Sequence, residues 1–146
     1  MKLAISSDHG GNNLRHEIIQ LLTELNIEFE DFGPESGQSV DYPDYAAPVT
    51  KGVASGEFDK GILICGTGIG MSIAANKVNG IRCALVHDVF SAKATRGHND
   101  SNVLAMGERV IGAGLAREIV QTWLETPFEG GRHERRIEKL MELENN

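Results

Sequence analysis

The sequence predicts an α/β fold on one mainly parallel, five-stranded sheet. Three observations carry the prediction. Short apolar runs alternate with longer amphipathic runs, the pattern of strands joined by crossover helices. The run Ile62-Leu63-Ile64-Cys65 passes into a glycine loop, and a helix-competent run follows it. The length, 146 residues, is that of one domain able to bury a core without disulfides or metals.

The elements follow in order. Lys2 to Ser6 reads as the first strand. Asn12 to Leu25 reads as a helix with Leu14, Ile18, Leu21, Leu22 and Leu25 on one face. Ile27 to Phe32 is a short, more polar strand, suited to a sheet edge. Gly33 to Pro43 is loop, rich in Gly, Pro and Ser. Tyr45 to Ala54 is helical, with Pro48 expected in its first turn. Gly61 to Cys65 is the central strand and Met71 to Val78 the helix after its glycine loop. Ile81 to Val86 is a strand, Val89 to Arg96 a short helix and Val103 to Met106 the last strand. Gly114 to Leu124 is a helix with Leu115, Ile119, Val120 and Trp123 facing inward. Arg132 to Leu143 is a last helix with Ile137, Leu140 and Met141 as its apolar stripe. Gly130-Gly131 precedes it as a break, and it packs either on its own domain or on a second subunit.

Fourteen basic and 21 acidic residues leave a net charge of −7. An acidic surface argues against general binding of nucleic acid or anionic membrane, while allowing a local basic pocket. The two cysteines, Cys65 and Cys83, lie in apolar strand-like contexts. They do not form a secreted disulfide scaffold, so a reduced, cytoplasmic protein is expected. No signal-peptide core follows the N-terminus, and no run approaches the ~20 apolar residues of a membrane span.

Three polar segments stand out: Ser6-Ser7-Asp8-His9-Gly10-Gly11, Cys65-Gly66-Thr67-Gly68-Ile69-Gly70, and Gly97-His98-Asn99-Asp100-Ser101-Asn102. The first two follow strands, where ligands bind in open α/β sheets. The third precedes the last strand and must reach the site from the end of the preceding helix. Glycine lets backbone N–H groups approach a ligand, and a helix N-terminus adds donors and a dipole that favours anions. The glycine loop thus reads as an anion hole, with a potential base in Cys65, and such a pair suits chemistry through an enediolate. Packing is the usual role of a lone cysteine; the adjoining loop favours a reactive one here. Cys83 has no such neighbour and reads as core.

A dinucleotide fingerprint is disfavoured, because position 71, where its last glycine would fall, is Met. No Gly-Lys-Ser/Thr follows, so a P-loop is excluded. Asp8 is either a helix cap or a site carboxylate. His98 is either part of a polar turn or a general acid. His16, His87 and His133 read as surface or packing residues. Arg132 and Arg136, four apart, share a helix face as a solvated patch or a phosphate clamp, and Arg109 is a further candidate. The histidines and cysteines show no metal-ligand spacing.

The chain resembles the B-type ribose-5-phosphate isomerases, a family that also includes galactose-6-phosphate isomerase subunits. The resemblance rests on Ser7-Asp8-His9-Gly10-Gly11, Asp41-Tyr42-Pro43, Cys65 to Gly70, Ile73-Ala74-Ala75-Asn76-Lys77, His98-Asn99-Asp100, Gly107-Glu108-Arg109-Val110 and Glu129-Gly130-Gly131-Arg132-His133. It implies a single-domain Rossmann-like three-layer α/β/α sandwich with a C-terminal helix, spanning residues 1–146. It implies a homodimer or dimer of dimers with sites at the subunit interface, acting on a sugar phosphate without metal or organic cofactor. By the same resemblance, Cys65 is the base and Thr67 assists its proton traffic. Gly66, Gly68, Ile69 and Gly70 supply backbone donors to the enediolate. His98 is the acid that opens the sugar ring. Asp8 and Asn99 bind sugar hydroxyls; His9, Arg109, Arg132 and Arg136 contact substrate, the arginines at its phosphate. One branch of the family replaces the cysteine by a Glu one residue after the glycine loop; here that position is Met71, so the cysteine-base branch is implied. The residues leave three rivals to a pentose-phosphate isomerase: a hexose-phosphate isomerase, a non-catalytic sugar-phosphate sensor and a nucleotide-binding fold.

Overall fold

The structure, a computed structural model, describes residues 1–145. Its strands are β1 (Lys2–Ser7), β2 (Glu28–Asp31), β3 (Lys60–Cys65), β4 (Cys83–Leu85) and β5 (Val103–Gly107). Its helices are α1 (Asn12–Glu24), α2 (Tyr42–Ala54), α3 (Ile69–Asn76), α4 (Val89–Asn99), α5 (Ala113–Glu125) and α6 (Arg132–Glu142). The strands form one sheet in the order β2-β1-β3-β5-β4, with every pairing parallel. Parallel strands need crossovers, and the helices provide them on both faces.

The side-chain period of two along each strand divides the core in two. Leu3, Ile5, Ile62, Ile64, Leu104 and Met106 face α1, α4 and α5. Ala4, Leu63, Cys65, Val103 and Ala105 face α2 and α3. The result is the Rossmann-like α/β/α sandwich expected. β2 lies at an edge, as its polar composition suggested.

Several local expectations are corrected. α2 begins at Tyr42, so Pro43 takes the first turn and Pro48 falls inside the helix. Proline costs least where the N–H has no helical partner, and Pro43 meets that condition. α3 begins at Ile69, because Gly68 turns the chain at φ +79° and leaves Gly70 already helical. α4 runs on to Asn99 and stops at Asp100 in the left-handed region, so His98 and Asn99 are helical rather than loop residues. β4 is confined to Cys83–Leu85. Leu25 and Leu115 are exposed, and Ala116 takes the inward position beside Ile119 and Val120. Cys83 is half-buried at the sheet edge rather than in the core proper, and burial pushes its thiol up to about 12. Of the α6 stripe, Ile137 and Met141 are partly covered and Leu140 is exposed.

Candidate active site

Cys65 ends β3 with its side chain buried against α3. Its Sγ accepts the Gly68 N–H at 3.1 Å. The Thr67 Oγ1 accepts the Ile69 N–H at 3.2 Å. The loop therefore curls over the sulfur and aims the N-terminus of α3 across it, where the helix dipole favours negative charge. The N-cap residue Gly68 has no side chain to cap α3, so beyond the Ile69 N–H taken by Thr67 the following N–H groups of the first turn face a ligand.

β5 sets this loop from below. Gly107 pairs with Cys65 in register, and a Cβ at Gly107 would stand 2.5 Å from the Thr67 carbonyl carbon. Only glycine permits that approach. The Gly107 N–H donates to His87 Nε2 at 3.0 Å. Burial lowers the proton affinity of His87, against the pull of Asp88, which keeps the ring an acceptor.

The segment after β1 closes the other side. Asp8 Oδ1 accepts the Gly10 N–H at 2.8 Å and so caps a short 3₁₀ turn at His9–Gly11. His9 Nδ1 accepts the Val40 N–H at 3.1 Å, tying the 32–41 loop to this edge. Arg109 folds its side chain beside Gly66, and its N–H donates to the Gly66 carbonyl at 3.0 Å. Asp8, His9, Cys65 to Gly70 and Arg109 thus share the C-terminal edge of the sheet.

His98, Asn99, Arg132 and Arg136 do not join them within one chain. α4 returns antiparallel to the strands, so its C-terminus lies where β5 begins. There the Gly61 N–H donates to the Asn102 carbonyl at 2.9 Å. From Gly61 to Cys65 the strand rises about 13 Å, at ~3.3 Å per residue. The direction of α4 thus keeps this segment away from the glycine loop of its own chain.

The second cluster has its own organisation. Arg96 and Arg82 pair with Asp100 and lock the end of α4. His98 Nε2 lies 3.2 Å from Glu129 Oε2. The His98 and His133 rings stack at 4.4 Å with a 9° tilt. Burial, then the charges of His98 and Arg132, lower the proton affinity of His133, with Glu129 opposing. Glu129 and His133, together with His87 at the other edge, are the site neighbours that the sequence reading missed. His98, Glu129 and His133 offer three metal-ligand atoms within 4.8 Å of one another, although their spacing in sequence carries no metal signature.

The chain matches the Ribose/Galactose Isomerase family over residues 3–140. It is 68% identical over 145 residues to a Bacillus subtilis (strain 168) protein named "Putative sugar phosphate isomerase YwlF", covering 99% of this chain and 97% of that one. It is 50% identical over 143 residues to ribose-5-phosphate isomerase B of Escherichia coli (strain K12), covering 98% and 96%. The solved structure of Clostridium thermocellum ribose-5-phosphate isomerase B superposes with a TM-score of 0.98 at 53% identity, covering 99% and 98%.

Proposed function

We propose that this chain, which belongs to the Ribose/Galactose Isomerase family, interconverts ribose 5-phosphate and ribulose 5-phosphate. The single observation that carries the chemistry is the Cys65 sulfur held 3.1 Å from the Gly68 N–H, inside a loop of backbone donors. Proton transfer next to a carbonyl needs a base and preorganised donors where the oxyanion forms. Cys65 and the loop supply both.

The reaction then runs in balanced steps. His98 gives a proton to the ring oxygen as the C1–O bond breaks, the anomeric O1–H proton passes to water, and the furanose opens to the linear aldose; a proton from water restores His98. The Cys65 thiolate takes the C2 proton, leaving an enediolate. N–H groups of Gly66 to Gly70 donate to its oxygens. The Thr67 hydroxyl relays a proton between O1 and O2, and Cys65 returns its proton to C1. Asp8 and Asn99 hold sugar hydroxyls, His9 contacts the sugar, and Arg109, Arg132 and Arg136 hold the phosphate by charge-assisted bonds.

This scheme requires both clusters at one substrate, and one chain keeps them at opposite sheet edges. The second copy supplies the missing half: the Cys65 loop of one subunit meets the His98 cluster of its partner. Ile69 and Ile73, one turn apart on the outer face of α3, are exposed beside the loop, and Phe90 is 83% exposed on α4. An apolar stripe at the mouth of a half-complete site suits an isologous dimer contact.

Mixing inactive variants tests the reading. Cys65→Ala and His98→Asn chains are each expected to turn over ribose 5-phosphate in EDTA at about 1% of the wild-type rate or less. Unfolded together and refolded, they are expected to regain about a quarter of wild-type activity, because half the dimers are mixed and each carries one intact shared site. A mixture that stays inactive while wild type refolds places both groups in one chain's site and overturns the shared arrangement. Wild-type protein that turns over only allose 6-phosphate keeps the mechanism and replaces the pentose by a hexose.

A further inference from the structure

We propose that His98, Glu129 and His133 bind a transition-metal dication of the zinc class, and that filling this site withdraws His98 from catalysis. The second half rests on the reading of His98 as the ring-opening acid; the first half does not.

The three donors come from three places: the end of α4, the link between α5 and α6, and the first turn of α6. Their ligand atoms lie within 4.8 Å of one another. His98 Nε2 and Glu129 Oε2 are already 3.2 Å apart. A tetrahedral zinc site with bonds of ~2.0–2.1 Å holds its donors about 3.3 Å from each other. His98 is about half exposed in the single chain and its ring can turn toward the other two donors, whereas His133 is nearly buried and stacked on it.

The backbone around the donors is specific. The Glu129 N–H donates to the Gly97 carbonyl at 3.1 Å. A Cβ at Gly97 would stand 2.5 Å from Glu129 Oε2. A glycine inside the last turn of α4 costs helix stability, and here it opens the place the carboxylate fills. The His133 N–H donates to the Gly130 carbonyl at 3.2 Å, which fixes the third donor at the start of α6.

Two imidazoles and one carboxylate form a nitrogen-rich set. It suits Zn²⁺, Co²⁺ or Ni²⁺ and discriminates against Mg²⁺ and Ca²⁺, which take oxygen ligands. Three protein donors leave a fourth position open to water or to an incoming anion. Lys93 lines the same groove as His98 and Glu129, and the charges of Arg132 and Arg136 reach His133, so a dication is opposed by nearby positive charge and a reversible ion fits better than a permanent one. A metal on Nε2 occupies the lone pair that His98 needs to carry a proton.

The experiment titrates metal-stripped protein with Co²⁺, followed by visible absorption, and with Zn²⁺, followed by calorimetry. One ion per chain is expected, with tetrahedral Co²⁺ bands. Glu129→Gln and His133→Gln are each expected to weaken binding about tenfold or more, with circular dichroism confirming that both remain folded. Equal affinity in wild type and both variants assigns the ion to a thiol and overturns the site. Zn²⁺ is then expected to abolish turnover of ribose 5-phosphate, and EDTA to restore it. Full turnover by metal-saturated enzyme overturns the link to His98. Protein that binds one Co²⁺ yet turns over no sugar phosphate in EDTA overturns the isomerase reading and leaves the metal site standing.

Discussion

The two halves of the candidate site are made of different material. At the C-terminal edge of the sheet, the Cys65 loop is built from backbone. Its donors are N–H groups, its shape comes from Gly68 at φ +79° and from the close approach of Gly107 to Thr67, and its sulfur is buried. At the opposite edge, the His98 cluster is built from side chains on helix ends, and His98 itself is about half exposed. A backbone loop closed over a buried sulfur is preorganised and tolerates little change. A side-chain cluster with a half-exposed imidazole has more freedom to adjust. Chemistry that needs a fixed oxyanion site and a mobile proton donor fits this division, and each substitution below acts on one half only.

The largest effect is expected on the buried half. Cys65→Ala removes the proposed base and leaves the loop donors in place. It is expected to lower kcat by about 10³–10⁴-fold with little change in KM. Initial rates with ribose 5-phosphate, together with exchange of the C2 proton into solvent, measure this. Turnover near wild type would remove Cys65 from the mechanism. Gly107→Ala comes next. Its methyl group collides with the Thr67 backbone, which cannot give way as a flexible side chain would. A loss of roughly 1–3 kcal/mol in stability is expected, visible in urea unfolding, with a fall in kcat from the displaced loop. An alanine variant of unchanged stability and rate would show that the loop is not set from β5.

The same contrast decides what could be read from the sequence. The glycine loop was legible because its chemistry is local: strand, cysteine, three glycines and helix follow one another within Ile62 to Ala75. The parallel sheet was legible for the same reason, since period and turn residues are short-range signals. His98 with Glu129 and His133 was not legible as a unit, because the chain returns from α5 before the three meet. His87 read as a surface or packing residue because nothing near it in sequence shows that its ring takes the Gly107 N–H bond, in place of a strand carbonyl. The start of α2 was misplaced because two prolines competed for one first turn. The direction of α4 follows from the fold itself, yet its consequence for His98 emerges only once the sheet edges are compared.

On the exposed half, effects are expected to be smaller and to depend on the substrate. His98→Asn removes the proposed ring-opening acid. Turnover of ribose 5-phosphate is expected to fall by about 10²-fold, and that of the open-chain ketose by less. The variant then releases the linear aldose, so the overall equilibrium is unchanged. Equal losses from both sugars would assign His98 another task. Arg136→Ala is expected to raise KM for phosphorylated sugars by about tenfold, the worth of one charge-assisted bond, with kcat less affected. An unchanged KM would move the phosphate elsewhere.

The smallest effect bears on how the buried half is held. β4 pairs with β5 through Leu85, and Val86 N–H still donates to the Ala105 carbonyl. Two residues farther along β5, the Gly107 N–H finds His87 Nε2 instead of a strand carbonyl. A protonated ring has no lone pair to accept that bond. Burial lowers the proton affinity of His87 in the folded chain. The unfolded chain therefore binds the proton first as pH falls, from its ordinary value of about 6.5. The stabilisation from this residue is present above that pH and is lost as pH drops towards the lower folded value. Thermal midpoints of wild type are thus expected to fall more steeply from neutral to mildly acid pH than those of His87→Asn, whose side chain does not titrate. If the two slopes coincide, the Gly107 N–H is not held by a titrating group, and the loop owes its shape to the glycine contacts alone.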